Sequence, residues 1–426
     1  MSKKNVDLII EHANQVVTVR GHSNKPASGS QMEDLGIIED GAIAILNGEI
    51  VAVGATSEIE SHFSARERLN AEGKAVIPSF IDAHTHFVFA GSRENELAMK
   101  IKGISYMEIL QRGGGILKTV RDTRAASKSQ LLTTCKERGL NLLVHGTTTA
   151  EAKSGYGLTL QDEIKSLEII HDLNGLIPLT LIPTFLAHAI PPEYQNRKTE
   201  YVSMISEVWI PEISRKRLAK FCDVFCEKDV FEIDDSRRIL ESGKRHGLLP
   251  RIHADEFYPL NGAELAAEVG AVSADHLLQL SPSGLDSLKR AGVIATLLPL
   301  APLTLMLDKY AEARKIIAAN VPIALGSDLS PSCWIEDHQL VIAIACYKLR
   351  MTPAEALVAA TINAAHTLNL AHKIGSIEAG KTADLLVLKV PNYECLGYRL
   401  GTNLVDTVVK NGTRVVSGGE IVNVRG

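Results

Sequence analysis

The chain has 426 residues, of which 45% are hydrophobic, 22% charged and 5% aromatic. This composition is typical of a globular protein, and the length suits two or three domains or one large α/β barrel with an accessory domain. The 45 basic and 50 acidic residues give a net charge of −5. This charge excludes a sequence-wide attraction to nucleic-acid phosphates or to anionic membranes.

The apolar segments of the sequence are too short to span a bilayer. The longest uncharged run, residues 291–307, falls below the roughly 20 residues required and contains Pro299 and Pro302. Near the N-terminus, Asp7 and Glu11 interrupt the apolar stretch, and no small-residue cleavage site follows. Six scattered cysteines without a CxxC pair favour reduced thiols. We therefore expect a cytoplasmic protein with neither a nucleic-acid nor a membrane partner.

Both ends of the chain are rich in β-forming residues. Each end holds two such runs, and one run at each end contains an Asn-Gly pair that suits a tight hairpin turn. The runs are residues 8–19 and 42–53, with Asn47-Gly48, and residues 382–389 and 405–418, with Asn411-Gly412. We expect the two ends to form one small β-sandwich domain from residues 1–75 and 376–426.

The middle of the chain alternates apolar runs with helix-like stretches. Eight apolar runs occur, at residues 75–81, 141–150, 176–186, 221–225, 248–252, 271–274, 292–298 and 321–325. Helical spacing is clearest in residues 158–173, 229–246, 262–269, 303–319 and 352–361. Eight such alternations favour a closed (β/α)8 barrel of the TIM type over residues 76–375.

Metal-ligating residue types follow several of these runs. In a parallel barrel the catalytic groups lie at the C-terminal ends of the strands, so the residues found there are candidate site residues. They are His84 and His86 after the first run, His188 after the third, His253 after the fifth, His276 after the sixth and Asp328 after the eighth. The period of two along a strand places His84 and His86 on the same side.

Four of these residues form a candidate metal-binding set. A lone HxH is more often a pair of solvated histidines than a metal site. His253 and Asp328, however, end later strands whose tips converge on the same barrel mouth. Together with His84 and His86 they offer three nitrogens and one oxygen, which suit one divalent ion such as zinc or ferrous iron.

Two further residues are candidates for catalysis beside that ion. Glu256 lies three residues beyond His253 and is the candidate proton shuttle. The alternative interpretation is a carboxylate that stabilises the start of the following helix. His276 is the candidate for positioning water or polarising a carbonyl. Its structural alternative is a buried histidine hydrogen-bonded to its neighbours.

Nearly the whole chain resembles a known group of enzymes. HxH, His-x-x-Glu, His and Asp at successive strand ends resemble the mononuclear branch of the amidohydrolase superfamily, whose members are metal-dependent barrels with a small β domain from both termini. Five longer segments resemble the imidazolonepropionase family, which acts in histidine degradation. They are HTHFVFAGSREN, GISYMEILQRGGGILKTVRDTR, GTTTAEAKSGYGL, TFLAHAIPPEY and HADEFYPLNGAELAAEVGAVSADHL.

The resemblance implies the substrate-binding residues and a homodimer. Arg93 and Tyr156 would bind the propionate tail of the substrate, and His188 would contact its ring. Without the resemblance, we would expect Arg93 to form a surface ion pair with Glu94 or Glu96, and Tyr156 to be a half-buried ring in a glycine-flanked turn. After the metal aspartate this chain departs from the family's Asn-Pro-Gly-Ser/Thr run, and the residues in place to contact substrate there are Ser330, Ser332 and Cys333.

The implied reaction is hydrolysis of the cyclic amide C–N bond of 4-imidazolone-5-propanoate, giving N-formimidoyl-L-glutamate. One zinc or iron ion per subunit would be the cofactor. Glu256 would carry the proton from water to the departing nitrogen, and His276 would stabilise the developing oxyanion. The alternatives are a deaminase of a cyclic amidine or nucleobase, since the same residues fit that reaction, and a non-catalytic barrel.

Overall fold

The strands of the protein belong to two sheets. The structure is a computed structural model that describes residues 3–104, 108–109 and 112–422. The strands in chain order are β1 (Lys4–Val17), β2 (Ile37–Leu46), β3 (Glu49–Ala55), β4 (Phe63–Asn70), β5 (Ala75–Pro78), β6 (Phe80–Asp82), β7 (Thr147–Lys153), β8 (Thr180–Ala187), β9 (Phe221–Cys226), β10 (Leu249–Pro250), β11 (Ile252–Ala254), β12 (Ser273–His276), β13 (Ile294–Leu297), β14 (Ile323–Leu325), β15 (Leu385–Leu388), β16 (Val405–Lys410), β17 (Thr413–Ser417) and β18 (Glu420–Ile421).

The helices lie mainly between the strands of the second sheet. The α-helices are Thr56–His62, Glu94–Ile101, Gly115–Ala125, Lys128–Val144, Leu160–Leu173, Lys198–Met204, Ile210–Arg215, Ile233–Arg245, Gly262–Val269, Pro282–Ala291, Leu300–Thr304, Ala313–Ala318, His338–Leu349, Pro353–Ala359, Ile362–Thr367 and Cys395–Tyr398. A π-helical turn covers Ile205–Trp209, and short 3-10 helices cover Gly29–Glu33 and Pro192–Tyr194. Across the described ranges, none of the helices is long and apolar enough to cross a membrane.

The second sheet is the barrel that the strand–helix alternation predicts. Its parallel strands follow the order β6, β7, β8, β9, β11, β12, β13, β14, and the short β10 pairs with β9. Backbone hydrogen bonds join the two ends of this order, because His86 N donates to Leu329 O at 2.8 Å and Asp328 N donates to His84 O at 3.1 Å. The barrel thereby closes next to the first histidine pair, and the predicted fold class is confirmed.

The first sheet combines strands from both ends of the chain. Its order is β18, β17, β16, β15, β5, β1, β2, β3, and β4 pairs with β1. The two predicted Asn-Gly hairpin turns are present, with positive φ at Asn47 (52°), Gly48 (82°), Asn411 (49°) and Gly412 (74°). The two turns touch, since a Cβ added to Gly412 would lie 2.8 Å from the Cα of Gly48. Glycine is therefore required at this contact as well as in the turn.

Several predicted elements differ in the structure, and three of the differences are informative. Residues 75–81 are divided, because β5 pairs with β1 and β15 in the first sheet whereas β6 pairs with β7 in the barrel. The beginning of run 141–150 completes the helix Lys128–Val144, and the strand starts at Thr147. The predicted helix 303–319 is interrupted, since Met306 has φ 59° and Leu307 N donates to Pro302 O at 2.8 Å, closing the first helix.

Candidate metal centre

The ends of three barrel strands bring the four proposed ligands close together inside the barrel mouth. His84 and His86 follow β6, His253 lies in β11, and Asp328 follows β14. The Oδ1 atom of Asp328 lies 3.6 Å from His84 Nε2 and 3.4 Å from His86 Nε2. The Nε2 atoms of His86 and His253 are 3.4 Å apart. Each of the four predicted residues therefore has a possible ligand atom close to that of at least one other member of the set.

These distances fit a single bound ion. Two nitrogens held at about 2.05 Å from one tetrahedral zinc would lie about 3.3 Å apart, close to the separations seen here. The Nε2 atom of His84 is buried and has no hydrogen-bond partner within the described part of the chain, as expected of a ligand atom. Burial, and then the charge of Lys153, holds the pKa of His84 well below its usual range. The imidazole is thus neutral, the form that binds metals.

His276 is close enough to be a further ligand. The atoms within 4.8 Å of one another form two overlapping triads, one of His84, His86 and Asp328 and the other of His84, His253 and His276. Burial, and then the counteracting charge of Asp328, sets the pKa of His276 at about 3. Like His84, it is therefore a neutral imidazole at the centre.

Two carboxylates contact the outer ring nitrogens of two candidate ligand histidines. Asp275 Oδ2 lies 2.7 Å from Nδ1 of His84, and Asp223 Oδ2 lies 3.1 Å from Nδ1 of His253. A carboxylate at Nδ1 fixes the tautomer that leaves Nε2 free for an ion and makes the imidazole a better donor. The Nδ1 atom of His86 is buried and has no such partner among the described residues; its ring instead stacks on that of His188, with centroids 4.8 Å apart.

The buried charges behind these candidate ligands were not predicted from the sequence. Five ionisable side chains with no exposed surface line the barrel interior below the histidines: Glu151, Lys153, Asp223, Arg251 and Asp275. The sequence does contain a signal for them, because charged residues lie within strands that otherwise carry no charge, as in FCDVFC and in TTTAEAK with its period of two. Such residues belong in a buried strand only when they have a partner or a function.

Glu256 lies beside the ligand cluster without joining it. The carboxylate is 6% exposed, and its Oε1 is 3.5 Å from Nδ1 of His276. Burial, and secondarily the charge of Asp328, raises the pKa of Glu256 well above its usual range. A carboxyl with a raised pKa next to a metal-ligand cluster is suited to accepting and returning a proton.

The backbone is strained at three of these strand ends. The φ angles of Asp255, His276 and Asp328 are 51°, 76° and 57°. Residues other than glycine rarely adopt this left-handed conformation, and those that do are concentrated at functional sites. Asp255 holds its own turn, since its carboxylate accepts hydrogen bonds from the backbone N–H groups of Leu260, Gly262 and Ala263, each at 3.0 Å. The turn presents the adjacent Glu256 to the cluster.

Tyr156 and His188 stand next to His86. The ring centroid of Tyr156 is 5.8 Å from that of His86 and 5.1 Å from that of His188; Tyr156 is buried and His188 is half-buried. Glu163 shapes the turn that carries Tyr156 by accepting from the N–H groups of Gly155 and Gly157 at 2.6 and 2.9 Å. A Cβ on Gly157 would lie 2.7 Å from the backbone of Asp162, so only glycine fits there.

Arg93 is buried rather than at the surface. Its Nη2 donates to Glu96 Oε2 at 2.8 Å, and the two side chains are 8% and 2% exposed. Glu96 also accepts from Gly115 N at 2.7 Å. The alternative interpretation of the sequence, an ion pair between Arg93 and Glu96, is therefore present, but the pair is buried and not at the surface. The Nε atom of Arg93 is buried and without a hydrogen-bond partner in the described residues, so this donor is available to a ligand.

The loop after Asp328 is closed by its own hydrogen bonds. Ser330 and Cys333 exchange backbone hydrogen bonds of 3.0 and 3.1 Å, and the hydroxyls of Ser330 and Ser332 lie 3.2 Å apart. The thiol of Cys333 donates to Ser327 O at 3.5 Å and is 1% exposed. The serine hydroxyls are thus better placed than this thiol to reach a ligand. Within the motif spanning residues 103–124, residues 105–107 and 110–111 lie outside the described residues.

Comparison with known proteins identifies the family. The chain is 49% identical to the imidazolonepropionase of Brevibacillus brevis over 418 residues, which cover 97% of this chain and 98% of the relative. It is 50% identical to that of Geobacillus kaustophilus over 420 residues, covering 97% and 99%. The chain belongs to the imidazolonepropionase family.

Two broader comparisons agree with this membership. Residues 253–422, a range that begins at His253, match the Amidohydrolase family. Among solved structures, an adenosine deaminase from Xanthomonas campestris with bound zinc superimposes with a TM-score of 0.71 at 20% identity, covering 99% of this imidazolonepropionase-family chain and 95% of that chain. At this identity the likeness concerns the fold, a barrel with a β domain from both termini.

Proposed function

We propose that this protein is an imidazolonepropionase, which hydrolyses the ring C–N bond of 4-imidazolone-5-propanoate to give N-formimidoyl-L-glutamate. The observation that carries the proposal is the set of close contacts among His84, His86, His253 and Asp328 with Glu256 nearby, in a chain about half identical to imidazolonepropionases over nearly its full length. A hydrolase of this class needs an electrophilic centre, a proton carrier and a recognition site for the carboxylate.

The ion is proposed to be held by His84, His86, His253 and Asp328, one per subunit. A divalent ion bound there would polarise a carbonyl oxygen and lower the pKa of water. The three imidazoles and one carboxylate suit zinc or ferrous iron, both of borderline softness.

Glu256 is proposed to transfer the proton. Its carboxylate takes a proton from the attacking water and returns it to the ring nitrogen as the C–N bond breaks. The buried position near His276 keeps bulk water from competing for that proton, and the raised pKa brings its proton affinity nearer to neutral pH. His276, a neutral imidazole, is proposed to donate a hydrogen bond to the oxygen on which charge develops.

The substrate is proposed to lie between the ligand cluster and Arg93. The propionate would accept from the unpaired Nε–H of Arg93 and from the hydroxyl of Tyr156, and the ring would contact His188. Ser330 and Ser332 would add hydroxyl donors from the loop after Asp328, with Cys333 supporting that loop. We also propose a homodimer, as the family resemblance implies, and a cytoplasmic location, as the N-terminal sequence and the scattered cysteines predict.

The direct test is incubation of the purified, metal-loaded protein with freshly generated 4-imidazolone-5-propanoate. Loss of the ring absorbance and appearance of N-formimidoyl-L-glutamate, without ammonia, is the expected result. Release of ammonia would indicate a deaminase instead. No reaction at all in a protein that carries its ion would reject both activities.

Removal of the ion is expected to abolish turnover and to lower the thermal stability. An ion present at about 1,000 times its Kd stabilises the folded state by about 4 kcal/mol, and a chelator removes that contribution. The measurement is the melting temperature and activity before and after chelation, and after separate addition of Zn²⁺ or Fe²⁺ under anaerobic conditions. Unchanged activity in protein shown to be metal-free would contradict the proposed role of the ion.

Replacing Arg93 with alanine is expected to raise KM about 10-fold or more, with a smaller effect on kcat. A hydrogen bond between charged groups contributes about 1.5–3 kcal/mol, and 1.4 kcal/mol is a factor of ten. The control is Arg121→Ala, which removes an exposed arginine from the helix Gly115–Ala125. The measurement is steady-state kinetics with both variants. A wild-type KM in Arg93→Ala would show that Arg93 is purely structural.

A further inference from the structure

Lys153 is a buried lysine at the end of β7, and the proposed reaction assigns it no role. Its side chain has no exposed surface, and its Nζ lies 2.7 Å from Asp223 Oδ2 and 2.9 Å from Glu151 Oε1. Burial by itself would lower the pKa of Lys153, but Asp223 and Glu151 outweigh burial and raise it. The amine is therefore a permanent cation whose hydrogen bonds go to carboxylates, and it is unsuited to act as a nucleophile or base.

Each of the two carboxylates is attached to a different part of the ligand cluster. Glu151 Oε2 accepts from the backbone N–H of Thr85 at 3.0 Å, and Thr85 lies between His84 and His86. Asp223 instead lies 3.1 Å from Nδ1 of His253. Lys153 consequently connects the histidine pair of the first barrel strand with the histidine of the fifth.

The backbone of Lys153 strengthens this connection. Its N–H donates to Thr85 O at 3.1 Å, and Thr85 Oγ1 donates to Glu151 O at 2.6 Å. Thr85 is thus held on three sides by residues 151–153. The Lys153 cation joins Glu151 to Asp223. Without it, the two buried carboxylates would lie near each other with no positive charge between them, which is energetically costly.

We propose that Lys153 is a positioning residue that sets the separation of His86 from His253 through Glu151 and Asp223. This inference rests on the proposed metal site. The Nε2 atoms of the two histidines lie 3.4 Å apart, near the spacing of about 3.3 Å that one tetrahedral ion requires. Metal–nitrogen distances tolerate only a few tenths of an ångström, so relaxation of the Lys153 contacts is expected to weaken ion binding.

The experiment measures the affinity for Zn²⁺ by competition with a chromophoric chelator, independently of activity. Lys153→Met is expected to bind Zn²⁺ about 10- to 100-fold more weakly than wild type, the usual effect of losing an outer-shell partner of a ligand. Asp223→Asn is expected to show a loss of similar size. Because both act through the same chain of contacts, the double variant is expected to lose less than the product of the two single effects.

A matched control separates positioning from general stability. Lys410, at the end of β16, and Asp384, just before β15, form another buried lysine–aspartate pair, 2.6 Å apart, in the first sheet's region. Lys410→Met is expected to lower the melting temperature without changing the Zn²⁺ affinity or the visible absorption spectrum of the Co²⁺-loaded protein. Lys153→Met is expected to change both metal readouts. If Lys153→Met fails to fold, the charge-balanced variant E151Q/K153M is measured in its place.

The possible failures can be told apart. Wild-type Zn²⁺ affinity in folded Lys153→Met, or in E151Q/K153M where that variant is needed, would overturn the positioning role alone. A wild-type protein that binds no Zn²⁺ would overturn the metal site together with this inference.

Discussion

Replacing Glu256 with glutamine is expected to lower kcat by about 10²- to 10⁴-fold, the usual contribution of general acid–base catalysis. Glutamine keeps the size of the side chain and its contact near Nδ1 of His276, but it cannot accept and return a proton. The bound ion is expected to remain, since Glu256 lies outside both ligand triads. The measurement pairs steady-state kinetics with the metal content of the purified variant.

The control for this variant is Glu227→Gln. Glu227 is also a buried carboxylate near the loop of Glu256, but it accepts from the backbone N–H of Phe257 at 2.9 Å and has no histidine partner among the described residues. Its replacement is expected to change kcat by only a few fold. Near-normal turnover in Glu256→Gln, or an equal loss in both variants, would show that Glu256 does not carry the proton.

Replacing Arg251 with methionine is expected to lower the free energy of unfolding by about 3–5 kcal/mol, the usual cost of removing one partner of a buried ion pair. Arg251 has no exposed surface, and its Nη2 lies 3.1 Å from Asp275 Oδ2 and 2.7 Å from Ala83 O. The substitution leaves Asp275 as a buried carboxylate without this cation. The measurement is the urea midpoint of metal-free protein, so that loss of an ion does not contribute.

Arg215→Met provides the comparison for this prediction. Arg215 pairs with Glu212 at 2.7 Å, but its side chain is 68% exposed. Exposed ion pairs are screened by water and salt, so the urea midpoint is expected to stay at the wild-type value. A similar midpoint in Arg251→Met would mean that the barrel interior tolerates Asp275 without its cation, through water or protonation.

Local sequence patterns were sufficient for several elements. The Asn-Gly pairs at 47–48 and 411–412 form the expected turns because asparagine and glycine both accept positive φ. The helix predicted over residues 262–269 has those bounds in the structure, where Asp255 accepts hydrogen bonds from its first N–H groups and Gly270 ends it with φ 65°. In each case the deciding interactions are made within a few residues.

Predictions were weaker where one run of residues serves two neighbours. Residues 75–81 form a single apolar run in the sequence. Both parts of the run are buried, so hydropathy does not separate them. Their assignment to different sheets depends on pairing with β1 and β15 on one side and with β7 on the other. Hydropathy along the chain carries no information about which distant strand supplies the hydrogen bonds.

By itself, the sequence determined the barrel, the composite β domain and the residue types at the strand ends, because strand period and the common direction of parallel strands are local rules. Only the tertiary structure decided how those residues are supported. Lys153 meets Asp223 across 70 positions of sequence, and Asp275 reaches His84 across 191. Such pairs are selected by burial, where a charge is stable only beside an opposite charge or a hydrogen-bond partner. The net charge of −5 gave no sign of these buried ions.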